Sequence, residues 1–306
     1  MIQFTENDVV RLLPMTAAIE SLRRAFTAYG NGEAQNQPRR RLILPTGAVL
    51  HSMAAAFGGY FGTKIYSTHP KHGAHFTFLL YDAATARPLA QLEANHLGQI
   101  RTGAASGLAA DLLAPEKPLN VTVIGSGFQA RTQLEAVKTV RTVSRVRVWS
   151  RSQTRREAFA AATGSDVATS AEQACEGADV IITATHSKDP VVRADAISQN
   201  ALILAMGSNI ANRHEVPAEV VERARIVVDD VEQCRIEAGD LLLANIDWNV
   251  VEPLSEIVKA NTKAGGDRRL TLFKSVGIAL EDVAVAAYIY EATPARSSAD
   301  PSRATR

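Results

Sequence analysis

The pattern of hydrophobic positions predicts helices in the first thirty residues and short strands after them. Near the amino terminus, Thr5 and Asp8 form a capping sequence before VVRLL, which predicts a first helix. Thr16 can cap a second helix that stops at Gly30, so the first thirty residues are expected to be helical. Residues 39–93 change to short runs rich in β-branched and aromatic residues, broken by Gly and Pro, and predict strands.

The strand region ends in a turn, a helix and a boundary. Residues 82–88, DAATARP, lie between two strand runs and are typical of a hairpin turn. Residues 96–113 are rich in small side chains and predict a helix that packs closely against its neighbours. Pro115 and Pro118 then mark a boundary.

Beyond residue 118, continuous apolar runs alternate with helical segments. The pattern predicts βαβ units and a parallel sheet covered on both faces. The strand runs are LNVTVIG, RVRVWS, ADVIITAT, ALILAMG and ARIVVDD, and a helix is predicted at 153–162. FKSVGIALEDVAVAAYIYEA, residues 273–292, has apolar positions on a helical period, and residues 294–306 are expected to form a frayed tail.

Composition narrows the function classes. The 306 residues, 46% hydrophobic and 21% charged, indicate a globular protein of about two domains. The net charge of +1 shows no basic excess, so we expect no nucleic-acid partner. Cys175 and Cys234 form no CxxC pair, which argues against a disulfide framework and a Cys-based zinc site. We find no secretory signal pattern and no run of 18 apolar residues, and therefore expect a cytoplasmic protein without membrane contact.

A nucleotide-binding signal follows the first apolar strand of the second half. GSGFQA, residues 125–130, lies between that strand and a helix and matches the dinucleotide fingerprint. Gly125 permits the tight turn, and Gly127 lets a pyrophosphate approach the helix N-terminus. Ala130 allows the helix to pack closely on the strand.

The end of the second strand indicates which coenzyme is preferred. An NAD site usually has a carboxylate there that binds the ribose 2′-hydroxyl, but no carboxylate occurs before Glu157. Hydroxyl and guanidinium groups suit a 2′-phosphate, so NADP(H) is favoured and NAD(H) is the second option. The residues are Ser150, Arg151 and Ser152, with Arg155 and Arg156 beyond.

Several segments together resemble the ornithine cyclodeaminase/mu-crystallin family, in its order and from about residue 38 to 285. They are GTK at 62–64 followed by Pro70, YDAATARPLA, RTGAA at 101–105, GSGFQA, ITAT and FKSVGIALED. The resemblance implies an α/β fold in which a Rossmann-type doubly wound parallel sheet, at 114–273, is inserted into a discontinuous α+β domain. That outer domain, 1–113 plus 274–306, would bind substrate and form a homodimer.

The resemblance also implies a set of site residues for a small amino or imino acid beside a nicotinamide ring. Lys64, Arg101 and the arginine two residues after Pro38, Arg40, would fix the substrate carboxylate. Which of Arg39, Arg40 and Arg41 faces the substrate stays open, because side chains alternate along a strand. Residues expected around the coenzyme, besides the glycine turn, are Thr102 and Gln129 near the phosphates and Thr185, Met206, Ser275 and Gly277 near the ribose and nicotinamide.

One departure from the family pattern changes the expected chemistry. Asn209 stands where the cyclodeaminases have a catalytic aspartate, and an amide cannot accept a proton from an ammonium group. The leading hypothesis is therefore an NADPH-dependent ketimine reductase acting on a cyclic imino acid such as pyrroline-2-carboxylate, with Asn209 hydrogen-bonding near the reacting centre. The alternatives are an ornithine cyclodeaminase or amino-acid dehydrogenase, and a non-catalytic NADPH-binding protein.

Several other polar residues can be interpreted as functional or as structural. The histidines at 69, 72 and 75 invite a zinc site, but Pro70 and Gly73 make this segment a loop, so a polar rim over the cleft is favoured and no metal is expected. Asp282 either lines the cleft or lies at the core edge. Asp229 and Asp230 end a buried strand, where acidic residues are commonly structural.

Overall fold

Two β-sheets flanked by helices make up the described residues, 1–261 and 269–293, of the computed structural model. The predicted tail at 294–306 lies outside the described residues. The strands are β1 Ile2–Phe4, β2 Gln35–Ile43, β3 Val49–Phe57, β4 Tyr60–His69, β5 Gly73–Asp82, β6 Pro88–Glu93, β7 Leu119–Ile124, β8 Val143–Trp149, β9 Asp166–Val167, β10 Val180–Thr183, β11 Leu202–Ala205, β12 Arg225–Val228, β13 Glu252–Pro253 and β14 Thr271–Lys274. The helices are α1 Glu6–Leu12, α2 Met15–Gly30, α3 Asn95–Leu113, α4 Phe128–Val140, α5 Gln153–Thr163, α6 Ala171–Cys175, α7 Ala218–Arg223, α8 Val231–Glu237, α9 Gly239–Leu243, α10 Leu254–Ala260 and α11 Ala279–Glu291.

The first sheet has the strand order β1-β6-β5-β4-β3-β2. Its pairs from β6 to β2 are antiparallel, and β1 joins β6 in parallel. The hairpin turn predicted at 82–88 is confirmed, because it joins the antiparallel strands β5 and β6. The Asp82 carboxylate accepts hydrogen bonds from the backbone N–H groups of Ala84 and Thr85, at 3.1 and 2.9 Å, which closes the turn.

The second sheet consists of eight parallel strands in the order β13-β12-β14-β11-β10-β7-β8-β9. From β7 the chain adds β8 and β9 on one side, and then returns to place β10 and β11 on the other side. This reversal leaves a crevice at the carboxyl ends of β7 and β10, where open α/β sheets bind their ligands. The predicted α/β class with a Rossmann-type doubly wound parallel sheet is confirmed.

Three local predictions need correction. Residues 2–4 form strand β1 instead of helix, because the short run pairs with β6. Thr16 does not cap α2, which begins at Met15 after Pro14, whereas the Thr5–Asp8 capping box of α1 is confirmed. Residues 273–274 belong to β14, which is buried between β11 and β12, and the helix starts only at Ala279. Short apolar runs do not distinguish a strand from a helix by periodicity alone.

Helix α3 brings the two sheets together. It is buried along most of its length and packs against α2 and α4 through small residues. A Cβ atom on Gly103 would lie 2.7 Å from Cγ2 of Thr132, and one on Gly107 would lie 2.9 Å from Cδ1 of Ile19. The close packing predicted for this helix is therefore present, and one continuous hydrophobic core includes side chains from both sheets.

The carboxy-terminal helix α11 returns from the second sheet to the first. Strand β14 belongs to the second sheet, whereas α11 packs against α2, α3 and strands β3 and β4. The domain division at 113/114 and 273/274 stays a prediction. In the part of the chain that the structure describes, no helix combines the length and apolarity needed to cross a bilayer.

Candidate functional site

The glycine turn after β7 shapes one wall of the switch-point crevice. Gly125 has a φ of 119°, and a Cβ atom there would lie 2.5 Å from the carbonyl oxygen of Ala184, so only glycine fits without strain. Gly127 is the N-cap residue before α4, and a Cβ atom there would meet no protein atom within 4 Å. Ala130 is fully buried on the inner side of α4. The turn therefore leaves the N-terminus of α4 open towards the crevice.

The crevice is a cavity of about 810 Å³. Gly125, Gly127, Gln129 and Thr185 line it, and the predicted coenzyme residues Ser150, Arg151 and Ser152 line it together with Arg155.

Short polar contacts hold the far end of this cavity, after β8. The hydroxyls of Ser126 and Ser150 lie 2.9 Å apart, and Ser152 caps α5 by accepting from the N–H of Arg155 at 3.4 Å. Arg156 instead donates to the carbonyl of Ser150 at 3.0 Å and does not line the cavity. Arg151 is exposed, and no hydrogen bond to a described residue holds its guanidinium.

A second cavity of about 710 Å³ adjoins the first, and Phe128, Gln129 and His186 line both. It lies between the carboxyl end of the parallel sheet and the inner face of the first sheet. Eight sequence-predicted residues line it: Lys64, Arg101, Thr102, Gln129, Met206, Asn209, Ser275 and Gly277.

Two buried cations share one carboxylate in this cavity. Nζ of Lys64 and Nε of Arg101 each donate to Oδ1 of Asp282, both at 3.1 Å. Nη1 of Arg101 also donates to Oε2 of Glu281 at 2.7 Å. Nη2 of Arg101 has no hydrogen-bond partner among the described residues. The acidic pair on α11 therefore holds both cations while leaving donors for a ligand.

Burial perturbs the ionisation of these groups. Desolvation lowers the pKa of Lys64 to about 8, although Asp282 opposes the shift. Desolvation raises the pKa of Glu281 to about 8, although Arg101 opposes the shift. Burial opposes the charge of Arg101, but Asp282 and Glu281 outweigh it and raise the pKa of Arg101 above its usual value. Burial and the neighbouring carboxylates therefore act in opposite directions on the pKa values of both cations.

Two glycines make room for the cations. A Cβ atom on Gly98 would lie 2.6 Å from Nζ of Lys64. A Cβ atom on Gly277, where φ is 74°, would lie 3.0 Å from Nη2 of Arg101. Sequence reasoning missed Gly98 and Glu281, and it left Asp282 undecided. Asp282 does not line the cavity but positions both cations from behind.

The sequence-based placement of Arg40 at the substrate is wrong. Arg40 is exposed and does not line the cavity, whereas Arg39 and Arg41 do, because alternate residues of β2 face opposite sides of the sheet. Arg39 is paired with Glu237 and donates to the carbonyls of Val276 and Gly277, at 3.1 and 2.8 Å.

Arg41 makes fewer hydrogen bonds than Arg39, and its side chain is more exposed. Its Nη2 contacts the Glu237 carboxylate and donates to the backbone carbonyl of Asn209 at 3.1 Å. About a quarter of its side chain is exposed. The sequence analysis did not identify Glu237, the carboxylate that joins both arginines.

Backbone and carboxylate contacts hold two of the predicted coenzyme residues, Thr102 in the second cavity and Thr185 in the first. The Thr102 hydroxyl donates to the carbonyl of Gly98 at 2.6 Å, whereas Oε1 of the buried Gln129 amide has no partner among the described residues. The Thr185 hydroxyl and N–H both donate to Oε1 of Glu215 at 2.7 Å. Sequence reasoning missed the fully buried Glu215, which also accepts from the N–H of Gly207 at 2.7 Å.

Asp229 and Asp230 have structural contacts. Asp229 accepts from the Ser275 hydroxyl at 2.9 Å and from the N–H groups of Val276 and Gly277. Asp230 caps α8 and accepts from the Tyr29 hydroxyl at 2.7 Å. The Asp229 contacts fix the loop between β14 and α11, in which Gly277 lies next to Arg101.

The histidine cluster lies away from both cavities. His69 and His72 occupy the tip of the β4–β5 hairpin, with ring centroids 4.6 Å apart, and line neither cavity. His51 is the histidine of β3 that lines the second cavity. Within residues 1–261 and 269–293, no group of three His, Cys, Asp or Glu side chains is arranged to hold a metal ion.

A doubly wound sheet whose switch-point crevice opens onto buried cations is typical of a dinucleotide-dependent enzyme that acts on an organic acid. The family model of the ornithine cyclodeaminase/mu-crystallin family matches residues 2–297, and the chain belongs to this family. This confirms the resemblance found in the sequence.

Individual relatives are similar over nearly the whole chain. The Delta(1)-pyrroline-2-carboxylate reductase of Bacillus cereus is 34% identical over 93% of this chain and 91% of its own length. The structure of the Delta(1)-pyrroline-2-carboxylate reductase of Thermococcus litoralis, in complex with NADH and L-proline, has a TM-score of 0.90, 31% identity and coverage of 97% and 98%. An archaeal alanine dehydrogenase dimer with bound NAD has a TM-score of 0.90, 30% identity and coverage of 97% of each chain.

Proposed function

We propose that this protein is a nicotinamide-dependent reductase of small cyclic imino acids. An example of the proposed reaction is the reduction of Δ1-pyrroline-2-carboxylate to proline. The observation that carries the proposal is that the dinucleotide crevice and the Lys64–Arg101 cavity adjoin each other, with Phe128, Gln129 and His186 lining both. A coenzyme in one cavity and an organic acid in the other would meet there. The reductases of Bacillus cereus and Thermococcus litoralis support this choice.

The residues of the crevice fit a dinucleotide. The open space beside Gly127 accommodates a pyrophosphate at the N-terminus of α4, and the unpartnered Oε1 of Gln129 offers an acceptor at the junction of the cavities. Thr185, Met206, Ser275 and Gly277 would surround the ribose and nicotinamide. When bound, the reduced nicotinamide supplies a hydride.

The chain itself binds and orients the substrate. Nζ of Lys64 and Nη2 of Arg101 have donors available for a carboxylate, and Asp282 fixes both side chains so that little reorganisation is needed. A wall of apolar and aromatic side chains, including Met53, Tyr66 and Phe76, keeps water away from the imine. Asn209 lies in the same cavity and can hydrogen-bond near the reacting centre without acting as a base.

NADP(H) is the coenzyme we propose to be preferred. Ser150, Arg151, Ser152 and Arg155 line the crevice after β8, and these residues provide hydroxyl and guanidinium donors for a 2′-phosphate. The structures similar to this chain contain NADH and NAD, so the preference rests on this chain's own residues.

A homodimer is proposed from the outer face of the first sheet. Leu42, Leu50 and Ile65, on adjacent strands β2, β3 and β4, are 60%, 44% and 40% exposed. Leu42 pairs directly with Leu50, so the exposed apolar surface is contiguous across these strands. The alanine dehydrogenase structure, which is a dimer, supports this assembly.

A coenzyme-oxidation screen tests the function. NADPH and NADH consumption would be followed with cyclic imines, and separately with pyruvate plus ammonia, because the similarity to an alanine dehydrogenase favours amino-acid dehydrogenation as the second candidate. We expect cyclic imines to be reduced with the higher kcat/KM. Ammonia release from ornithine without net coenzyme consumption would instead identify a cyclodeaminase, and tight NADPH binding without any turnover would identify a non-catalytic protein.

A further inference from the structure

A single buried carboxylate connects the walls of the two cavities. Glu215 has no exposed surface, lies next to the loops that follow β10 and β11, and lines neither cavity. Its Oε1 accepts from the N–H and the hydroxyl of Thr185, both at 2.7 Å, and Thr185 lines the dinucleotide crevice. Its Oε2 accepts from the N–H of Gly207 at 2.7 Å and from the Thr183 hydroxyl at 3.1 Å, and Gly207 lines the second cavity. One carboxylate therefore holds one wall residue of each cavity.

The two loops that Glu215 joins are packed tightly together. They leave the sheet from adjacent strands, since Thr183 at the end of β10 is paired with Ala205 at the end of β11. A Cβ atom on Gly207 would overlap both the Glu215 carboxylate and the backbone of Thr185. The position of one loop relative to the other is therefore set by the contacts of this carboxylate.

A buried ion pair holds Glu215 in place. Its backbone N–H donates to Oδ1 of Asp240 at 2.6 Å, and Nζ of Lys274 lies 2.7 Å from Oδ2 of Asp240. Both side chains of this ion pair are fully buried. Lys274 ends β14 and also donates to the carbonyl of Ser208 at 2.7 Å. The loop after β11 is thus held at two successive residues, Gly207 by Glu215 and Ser208 by Lys274.

Hydride transfer depends on the distance between a coenzyme bound in one cavity and an acid bound in the other. A misplacement of about 1 Å can lower the rate about 100-fold. We infer that Glu215 is a positioning residue that fixes the dinucleotide crevice relative to the second cavity, and that Asp240 and Lys274 hold it there. This inference rests on the proposed function, in which the imine carbon gains a hydride from the reduced coenzyme and the nitrogen retains its proton.

Glu215→Gln tests this role with a side chain of equal size. Each oxygen of Glu215 accepts from one backbone N–H, that of Thr185 on one side and that of Gly207 on the other. The NH2 group of glutamine cannot accept a hydrogen bond, so one of the two N–H groups loses its acceptor in either orientation of the amide. Glu219→Gln, at an exposed position of α7, is the matched control.

We expect Glu215→Gln to separate reaction from binding. Its kcat for Δ1-pyrroline-2-carboxylate should fall by about 10- to 100-fold, whereas the Kd values of NADPH and of L-proline, each measured alone, should change by less than about 3-fold. The primary isotope effect on kcat, measured with NADPH deuterated at the transferred position, should be at least as large as in the wild type, because hydride transfer is the slowed step. Glu219→Gln should change none of these values.

Three results would overturn the inference while the reductase function stands. They are an unchanged kcat, a smaller isotope effect, and a loss confined to NADPH affinity with normal kcat at saturating coenzyme. If Glu215→Gln lacks a cooperative thermal transition, the double variant Asp240→Asn/Lys274→Met decides instead. It keeps the Oδ1 acceptor and removes both charges together, but it loses the Lys274 contact with Ser208. A lower kcat with unchanged Kd values supports the inference, and an unchanged kcat overturns it.

A binding measurement separates this inference from the proposed function. If the wild type reduces no cyclic imine, the proposed function fails, and calorimetry of L-proline with and without NADP+ decides the role of Glu215. L-Proline should bind the wild type about 10-fold more tightly when NADP+ is present, and Glu215→Gln should abolish this difference. The same affinity with and without NADP+ in the wild type, or the same difference in the variant, overturns the inference.

Discussion

Lys64 and Asp282 form an ion pair in which Nζ lies 3.1 Å from Oδ1, and neither side chain has more than 3% of its surface exposed. The carboxylate also holds Arg101, so one residue of α11 positions two cations that come from a strand and a helix of distant sequence. Breaking a buried pair on one side is strongly destabilising, because a charge is left without compensation.

We therefore expect Asp282→Asn to lower kcat/KM for the cyclic imine by about 10- to 100-fold and to lower the melting temperature. Steady-state kinetics and thermal unfolding measure the two effects. Asp195→Asn, which breaks an exposed ion pair with Arg193, is the matched control and should leave both close to wild type. Unchanged kcat/KM in Asp282→Asn would show that the carboxylate does not position the cations.

The pH dependence of the reaction should reveal Lys64. Its pKa is lowered to about 8 by burial, so the ammonium that we propose to bind the carboxylate is lost as pH rises through about 8. We expect kcat/KM to fall above this pH, mainly through a rise in KM.

Lys64→Arg separates this effect from ionisation of the substrate itself. A guanidinium keeps its charge throughout this range, so the alkaline decline should disappear or move to higher pH even if the activity at neutral pH is lower. If both proteins show the same decline near pH 8, the titrating group is not Lys64.

The two glycines of the nucleotide turn should respond differently to alanine. Gly127→Ala places a methyl group in open space, so we expect an unchanged melting temperature but at least about 10-fold weaker coenzyme binding. Gly125→Ala should destabilise the fold by about 1–3 kcal/mol, because a φ of 119° and the Ala184 carbonyl both disfavour a side chain. Calorimetry and fluorescence titration test the contrast, and unchanged coenzyme affinity in Gly127→Ala would contradict the placement of the pyrophosphate.

Coenzyme preference should depend on Arg151. Its guanidinium lines the crevice after β8, so Arg151→Ala should weaken NADPH binding by about 10-fold or more and change NADH binding little. Arg145 lies on β8 itself, is paired with Asp166 and does not line the crevice, so Arg145→Ala is the control. An equal loss of affinity for both coenzymes would contradict a role in binding the 2′-phosphate.

Much of the second half of the chain could be predicted because its signals are local. Continuous apolar runs followed by turns and helices indicate a parallel sheet, and the GSGFQA turn identifies where that sheet binds a nucleotide. The local predictions that failed concern residues 2–4, Thr16 and residues 273–274. Thr16 could cap a helix only if the helix began directly after it, and a short apolar run becomes a strand only where strands from elsewhere in the chain pair with it.

The sequence by itself determined the fold class, the nucleotide turn and the family, because each depends on residue types at fixed short spacings. Only the tertiary structure decided that Arg39 and Arg41 of β2, and not Arg40, line the second cavity, since a shift of one residue reverses every side chain of a strand. It also decided that Glu281, Asp282 and Glu237 hold the cations, because these carboxylates lie about 180 to 220 residues away from Lys64, Arg101 and Arg39 along the chain and meet them only after both sheets have packed on α3.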